Sequence, residues 1–218
     1  MKDVKLVIFD MDGLLFDTER LYYSAMKQVM EKKWGCDFPL ENYKRFIGVD
    51  DRECDDVMKS LYGKDFSMEL ILEDYYQLFS QILREEGLQV KKGAKDILDF
   101  LDNKGIKKCI ASSSSRETIQ NNLSMAGLTD RFDFYMSGSE VKRGKPYPDI
   151  FLGACQRANE VPGSSLVLED SLNGLRAATG ASINCIIVPD LIEPNEEIKK
   201  HAYKIVSDLS QVIDVIES

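Results

Sequence analysis

Apolar and polar positions alternate along this 218-residue chain in two different rhythms. The first apolar run, Val4, Leu6, Val7, Ile8 and Phe9, is short and reads as a buried strand. From Thr18 the spacing changes to that of a helix: Leu21, Tyr22, Ala25, Met26, Val29 and Met30 recur every three or four residues. Gly35 after Trp34 suits the residue that ends it. Residues 37–86 keep a helical pattern, with segments predicted near 40–46, 51–61 and 67–86. In the last of these Leu70, Ile71, Tyr75, Leu78, Phe79 and Ile82 share a face. Gly63 and Gly87 break the block, and it contains no convincing strand.

After residue 88 strands and helices alternate. Helices are predicted at 94–103, 116–125, 150–159 and 174–178. Strands are predicted at 108–111, 134–136, 166–168 and 183–188, and Ile205-Val206 forms a last short one. Strand–helix alternation every 15 to 25 residues or so predicts right-handed βαβ units and a parallel sheet, an α/β fold. The helical block thus stands as an insert directly behind the first strand. No internal repeat appears, and the one low-complexity stretch is the serine run 112–115.

Composition adds limits. With 44% hydrophobic and 30% charged residues the chain is an ordinary globular protein, neither disordered nor fibrous. Its formal net charge of −9 argues against nucleic acid and against an anionic membrane as partners. No stretch has the roughly 18 to 20 apolar residues of a membrane span, and the N-terminal apolar run ends at Asp10, unlike a signal peptide. Cys36, Cys54, Cys109, Cys155 and Cys185 are scattered with no C-x-x-C pair, as expected for free thiols in a reducing cytosol. The single histidine, His201, argues against a histidine-based zinc site. It falls in the polar stretch 196–204, far along the chain from every other candidate, and reads as a solvated helix position.

The candidate chemistry sits where strands end. Asp10 and Asp12 close the first strand before Gly13, and residues i and i+2 of a strand point to one face. Ligands of open α/β sheets collect at that edge. Two carboxylates about 4 Å apart repel by about 4 kcal/mol at an effective dielectric near 20, so a shared proton or a cation must offset them. Mg²⁺ takes oxygen ligands of this kind. Asp-x-Asp-Gly can equally be a turn that caps a helix. Ser112, Ser113, Ser114 and Ser115 follow an apolar strand and open a helix, where hydroxyls and exposed N–H groups form an anion site. The alternative reading is a flexible linker. Lys145 lies in a loop stiffened by Pro146 and Pro148, which suits an ammonium held in one place. Glu169 and Asp170 end another strand, followed by Ser171, Asn173 and Gly174. Asn173 either orients a carboxylate or is a turn residue.

These strings carry a family resemblance. FDMDGLLFDTE resembles the first motif of the haloacid dehalogenase-like phosphohydrolase superfamily, nearly word for word with its sugar-phosphate phosphatase and β-phosphoglucomutase branch. FDMDGLLFDTERLY is also similar to the pseudouridine-5′-phosphatases of that branch. IASSSSRE resembles the second motif, KPYPD the third and LEDSLNG the fourth. The resemblance implies a Rossmann-like core formed by residues 1–16 and 89–218, a helical cap at 17–88 and a site in the cleft between them, with the cap closing to exclude water and reopening for product. It implies that Asp10 is the nucleophile and forms an aspartyl-phosphate. Asp12 is implied as general acid and base, Ser112 as a phosphoryl ligand through its hydroxyl, and Ser113 through its N–H. Lys145 is implied to neutralise phosphate and nucleophile. The implied Mg²⁺ ligands are Asp10, Asp12 and Asp170, with Glu169 acting through water. Arg116 is a further candidate for substrate contact, against the ordinary reading of a solvated arginine at a helix start. Residues 48–52 resemble the branch's specificity loop, or are an ordinary loop. Tyr22, Tyr23, Tyr75, Tyr76, Met26 and Met30 are expected to pack helices.

The expected function is therefore Mg²⁺-dependent hydrolysis of a small phosphorylated metabolite by a cytoplasmic protein able to work as a monomer. β-Phosphoglucomutase chemistry is the alternative, although the mutase pattern has a histidine where this chain has Tyr22 and Tyr23. A haloacid dehalogenase does not need Asp12, Lys145 and a cation together. A non-enzymatic phospho-acceptor module does not account for the helical insert or for Asp12.

Overall fold

In the computed structural model, residues 3–47 and 51–218 are described, the side chains of residues 51–53 excepted. The chain divides into two compact units, residues 1–17 with 88–218 and residues 18–87.

The larger unit is built on a six-stranded sheet: β1 (Leu6–Phe9), β2 (Lys107–Ser112), β3 (Phe134–Ser137), β4 (Ser165–Glu169), β5 (Asn184–Ile187) and β6 (Lys204–Ile205). The spatial order is β3-β2-β1-β4-β5-β6, and every pairing is parallel. This is the Rossmann-like doubly wound order, whose switch point lies beside β1. β1 is buried on both faces, and its residues alternate between two cores. Val7 and Phe9 join Ile110, Leu168 and Ile186 on one face. Leu6 and Ile8 join Ala111, Val167 and Ile187 on the other.

Helices cover both faces. α5 (Ala94–Lys104), α6 (Arg116–Met125) and α10 (Gln211–Glu217) bring Ile97, Leu101, Ile119, Leu123, Val212 and Ile216 to the first face. α7 (Asp149–Ala158), α8 (Leu172–Gly180) and α9 (Glu196–His201) bring Phe151, Ala154, Leu175, Ala178 and Ile198 to the second. Cys109, Cys155 and Cys185 are buried in that second core as small apolar side chains, and all five cysteines are free thiols. His201 is exposed at the end of α9.

The smaller unit consists of α1 (Thr18–Trp34), α2 (Leu40–Tyr43), α3 (Asp51–Tyr62) and α4 (Glu69–Glu86), with no strand among its described residues. α1 packs along α4, where Tyr22 stacks on Phe79 with ring centroids 4.6 Å apart. Met26 and Met30 are buried, whereas Tyr76 is 57% exposed and packs little. Among the described residues, no helix is long and apolar enough to cross a membrane. The expected specificity loop, 48–52, falls outside the described residues at 48–50 and outside the described side chains at 51 and 52.

Candidate active site

The parallel register brings the ends of three strands side by side. Phe9 pairs with Ile110 of β2 and with Leu168 of β4. One step further, Asp10 therefore sits between the end of β2, where Ser112 is buried, and Glu169 at the end of β4. The Asp10 N–H donates to Leu168 O at 3.0 Å, which pins the aspartate to the central strands.

Lys145 reaches this point from the loop before α7. Its Nζ donates to Asp10 Oδ1 at 2.5 Å and to Glu169 Oε1 at 2.7 Å, and all three side chains are almost fully buried. The other oxygen of Glu169, Oε2, accepts from Asp170 N–H (3.0 Å), Ser171 N–H (2.9 Å) and Ser171 Oγ (2.8 Å). Ser171 also caps α8, its Oγ accepting from Gly174 N–H at 3.0 Å. Any Cβ at position 174 would land on the Glu169 carboxylate, so the close approach of helix and acid requires glycine. Gly13 is required for a second reason. Its φ is +79°, and a Cβ there would meet Asp170 Oδ2.

One ammonium between two buried carboxylates leaves a net negative charge. Burial drives the Asp10 carboxyl up to about 8, opposed by Lys145 and reinforced by Glu169. Burial pushes Glu169 upward too, but the charge and hydrogen bond of Lys145, with the donors of Ser171, hold it below its ordinary value. Both acids share the same lysine, but Glu169 collects three further donors that Asp10 lacks, so burial raises Asp10 while Glu169 is held down. Lys145 itself is lowered by burial but held above its usual range by the two acids.

Asp10, Glu169 and Asp170 each offer a carboxylate oxygen, and these atoms lie within 4.8 Å of one another. An all-oxygen donor set with surplus negative charge fits a hard divalent cation such as Mg²⁺. The Asp12 carboxylate is not one of these three. β1 ends at Phe9, and the chain turns at Gly13 with an isolated bridge from Asp12 to Phe16, so strand alternation does not carry to residue 12. Asp12 Oδ2 instead accepts from Ser114 Oγ at 2.9 Å. Its charge still acts on Asp10.

Ser112 Oγ accepts from Ser114 N–H at 3.0 Å, and Ser113 is exposed. The serine run is thus a tight turn rather than a linker, and Ser115 caps α6 by accepting from Thr118 N–H. Arg116 is engaged elsewhere. Its guanidinium lies 4.8 Å over the Tyr135 ring and donates to Tyr135 Oη and Glu140 Oε1. Asn173 lies in the first turn of α8, not in a turn before it.

Sequence reasoning did not foresee the contact of the Ser114 hydroxyl with Asp12, the donors of Ser171 to Glu169 or the pair Lys91–Asp190. Lys91 Nζ donates to Asp190 Oδ1 at 2.6 Å, and Asp190 Oδ2 lies on the same side of Gly13 as Asp170. A weaker signal was available: Asp190 comes three residues after the end of β5, whereas Asp10 follows β1 directly.

The chain is similar to known proteins over most of its length. The haloacid dehalogenase-like hydrolase family profile matches residues 7–188. A phosphorylated carbohydrates phosphatase of Thermotoga maritima is 36% identical over 188 residues, 84% of each chain. A probable pseudouridine-5′-phosphatase of Drosophila melanogaster is 32% identical over 218 residues, covering 96% of this chain and 92% of that one. The crystal structure of a putative β-phosphoglucomutase from Thermotoga maritima superposes with a TM-score of 0.80 at 31% identity, over 97% of this chain and 98% of that one. With a family profile spanning residues 7–188 and relatives 36% and 32% identical to it over most of its length, the chain belongs to the haloacid dehalogenase-like hydrolases.

Proposed function

We propose that this chain is a Mg²⁺-dependent phosphatase that hydrolyses a small phosphorylated metabolite, a sugar phosphate or similar compound, through an aspartyl-phosphate. The observation that carries the reading is the buried meeting of Asp10, Lys145 and Glu169 at the ends of adjacent parallel strands. The names of the Thermotoga and Drosophila relatives support the substrate class.

A free carboxylate oxygen of Asp10 attacks phosphorus, and the bond from phosphorus to the ester oxygen breaks. Asp12, as the acid, gives the departing alkoxide its proton. The resulting Asp12 carboxylate then takes a proton from water, whose oxygen attacks phosphorus and releases inorganic phosphate and Asp10. Acid–base help of this kind is worth about 10²–10⁴-fold. Lys145 keeps its charge beside the nucleophile and offsets the phosphoryl oxygens, and the Ser112 hydroxyl and Ser113 N–H orient them. Asp10, Glu169 and Asp170 would hold Mg²⁺, with Asp12 beside them, and when bound it supplies the positive charge that ionised Asp10 and a phosphate dianion together require.

The test is phosphate release from p-nitrophenyl phosphate and a panel of sugar, nucleotide and glycolytic phosphates, with and without Mg²⁺. Mg²⁺-dependent release is expected, and Asp10→Asn is expected to abolish it with the circular dichroism spectrum unchanged. No release from any member of the panel would overturn the proposal. The likeness to a putative β-phosphoglucomutase favours phosphoryl transfer to a second hydroxyl as the other reading. β-Glucose 1-phosphate with a trace of the bisphosphate separates the two: glucose 6-phosphate marks a mutase, free glucose and phosphate the phosphatase.

A further inference from the structure

Ser114 lies inside the serine run but is neither of the two serines that the phosphate-binding reading uses. Three of its groups are fixed. Its N–H donates to Ser112 Oγ at 3.0 Å, and its carbonyl accepts from Ser137 Oγ at 2.7 Å. Its own Oγ donates to Asp12 Oδ2 at 2.9 Å. The support behind it is also built. Ser137 is buried at the end of β3 and caps the 3-10 turn Gly138–Glu140, with Glu140 accepting from the Ser137 N–H at 3.0 Å. Glu140 is in turn gripped by Arg116 from α6 and by Arg157 from α7. A hydroxyl has one proton and rotates to suit its acceptor. Here the backbone is clamped on both sides, so the hydroxyl has a set direction.

We propose that Ser114 is a positioning residue for Asp12, fixing the direction of its carboxyl through the hydrogen bond on Oδ2. The inference rests on Asp12 being the general acid of the phosphatase reading. Asp12 lies past the end of β1, in an isolated bridge to Phe16. A carboxyl with a broad second torsion meets an alkoxide in the right geometry only part of the time. A donor on Oδ2 narrows that freedom. Arg116 then serves the site indirectly, through Glu140 and Ser137.

The prediction is specific to the leaving group. An alkoxide needs its proton as the bond to phosphorus breaks, whereas p-nitrophenolate departs without one. The experiment measures kcat/KM, which reports the steps up to loss of the first product. Wild type, Ser114→Ala and Ser114→Thr are compared on p-nitrophenyl phosphate and on the sugar phosphate that wild type turns over best. For Ser114→Ala, kcat/KM on the sugar phosphate is expected to fall about 10- to 100-fold, the range for a hydrogen bond to a charged group, with less than about a threefold change on p-nitrophenyl phosphate. Ser114→Thr keeps the hydroxyl and is expected to recover most of the loss. In the Asp12→Asn background, Ser114→Ala is expected to add nothing. Equal losses on both substrates, or a further loss in the Asp12→Asn background, would show a merely structural role and overturn the inference. Should wild type itself release no phosphate, it is the phosphatase reading that fails, and the two failures are distinguishable.

Discussion

Lys145 and Asp10 stand 135 positions apart in the chain, yet their largely buried side chains meet at 2.5 Å. The same ammonium holds Glu169, so a single positive charge serves two buried acids. Removing it leaves both acids desolvated without a counter-charge, and breaking a buried pair on one side costs about 3–5 kcal/mol. Lys145→Met is expected to lose stability on that scale in cation-free buffer, read as a lower urea midpoint. It is also expected to lose turnover at least about 10²-fold, the scale for removing one preorganised group that meets developing charge. A variant with the wild-type midpoint would mean that the acids are neutralised by other means.

The oxygen trio of Asp10, Glu169 and Asp170 gives a second prediction, readable without any substrate. A ligand that binds only the folded state at 100 times its Kd adds about 2.7 kcal/mol to stability. Mg²⁺ at saturation is therefore expected to raise the Tm of wild type, and EDTA to reverse the rise. Asp170→Asn is expected to remove the Mg²⁺-dependent part while leaving the cation-free Tm close to wild type or above it, because one of the clustered acids has gone. A Tm indifferent to Mg²⁺ would argue that the trio holds no cation.

Much of this was legible in the sequence because the architecture depends on where apolar runs stop. β1 ends where Asp10 begins, β4 ends at Glu169 and β2 ends in the serine run, so strand-end chemistry could be read from spelling alone. The C-terminal helix α10 was not read. Its sequence QVIDVIE is rich in β-branched residues, which favour strands locally, and only Val212 and Ile216, four residues apart and both buried, betray the helical face. The direction of the Asp12 carboxyl was also beyond the sequence. It depends on the chain leaving the strand one residue before Asp10, and on a serine 102 positions away. Likewise the partners of Arg116 lie on β3 and the turn after it, a juxtaposition that only the sheet order creates.

Glu140 yields a pH-dependent prediction. Partial burial works against its charge, but Arg157, the Ser137 N–H and Arg116 outweigh burial and hold its carboxyl below the ordinary glutamate value. A depressed folded-state pKa contributes stability above the unfolded pKa and loses it as pH falls through the folded one. Glu140→Gln, which resembles the protonated acid, is expected to melt lower than wild type at pH 7. The gap is expected to narrow as pH drops below the unfolded carboxyl's 4.5 and to close at still lower pH. A series of melts across that range checks it. A gap that stays constant would assign the loss to altered packing of the Gly138–Glu140 turn and not to charge.

The Lys91–Asp190 pair offers the sharpest separation of charge from packing. Its side chains are 20% and 3% exposed, and Asp190 Oδ2 is buried with no hydrogen-bond partner among the described residues. Lys91 belongs to the segment in which Lys91 N–H donates to Leu15 O and Phe16 bridges to Val90, so the pair ties that segment to the loop after β5. An exposed pair would be worth about 0–1 kcal/mol and a fully buried one about 3–5 when broken on one side. This half-buried case falls between them, and Asp190→Ala is expected to cost about 1–3 kcal/mol by urea denaturation. A buried pair is expensive to break and cheap to replace. The double variant Lys91→Met/Asp190→Leu is therefore expected to be more stable than Asp190→Ala alone, because neither charge is left desolvated. If the double variant instead loses the sum of the two single losses, the pair contributes through each side chain's own packing, and the ion pair is incidental to holding the segment in place.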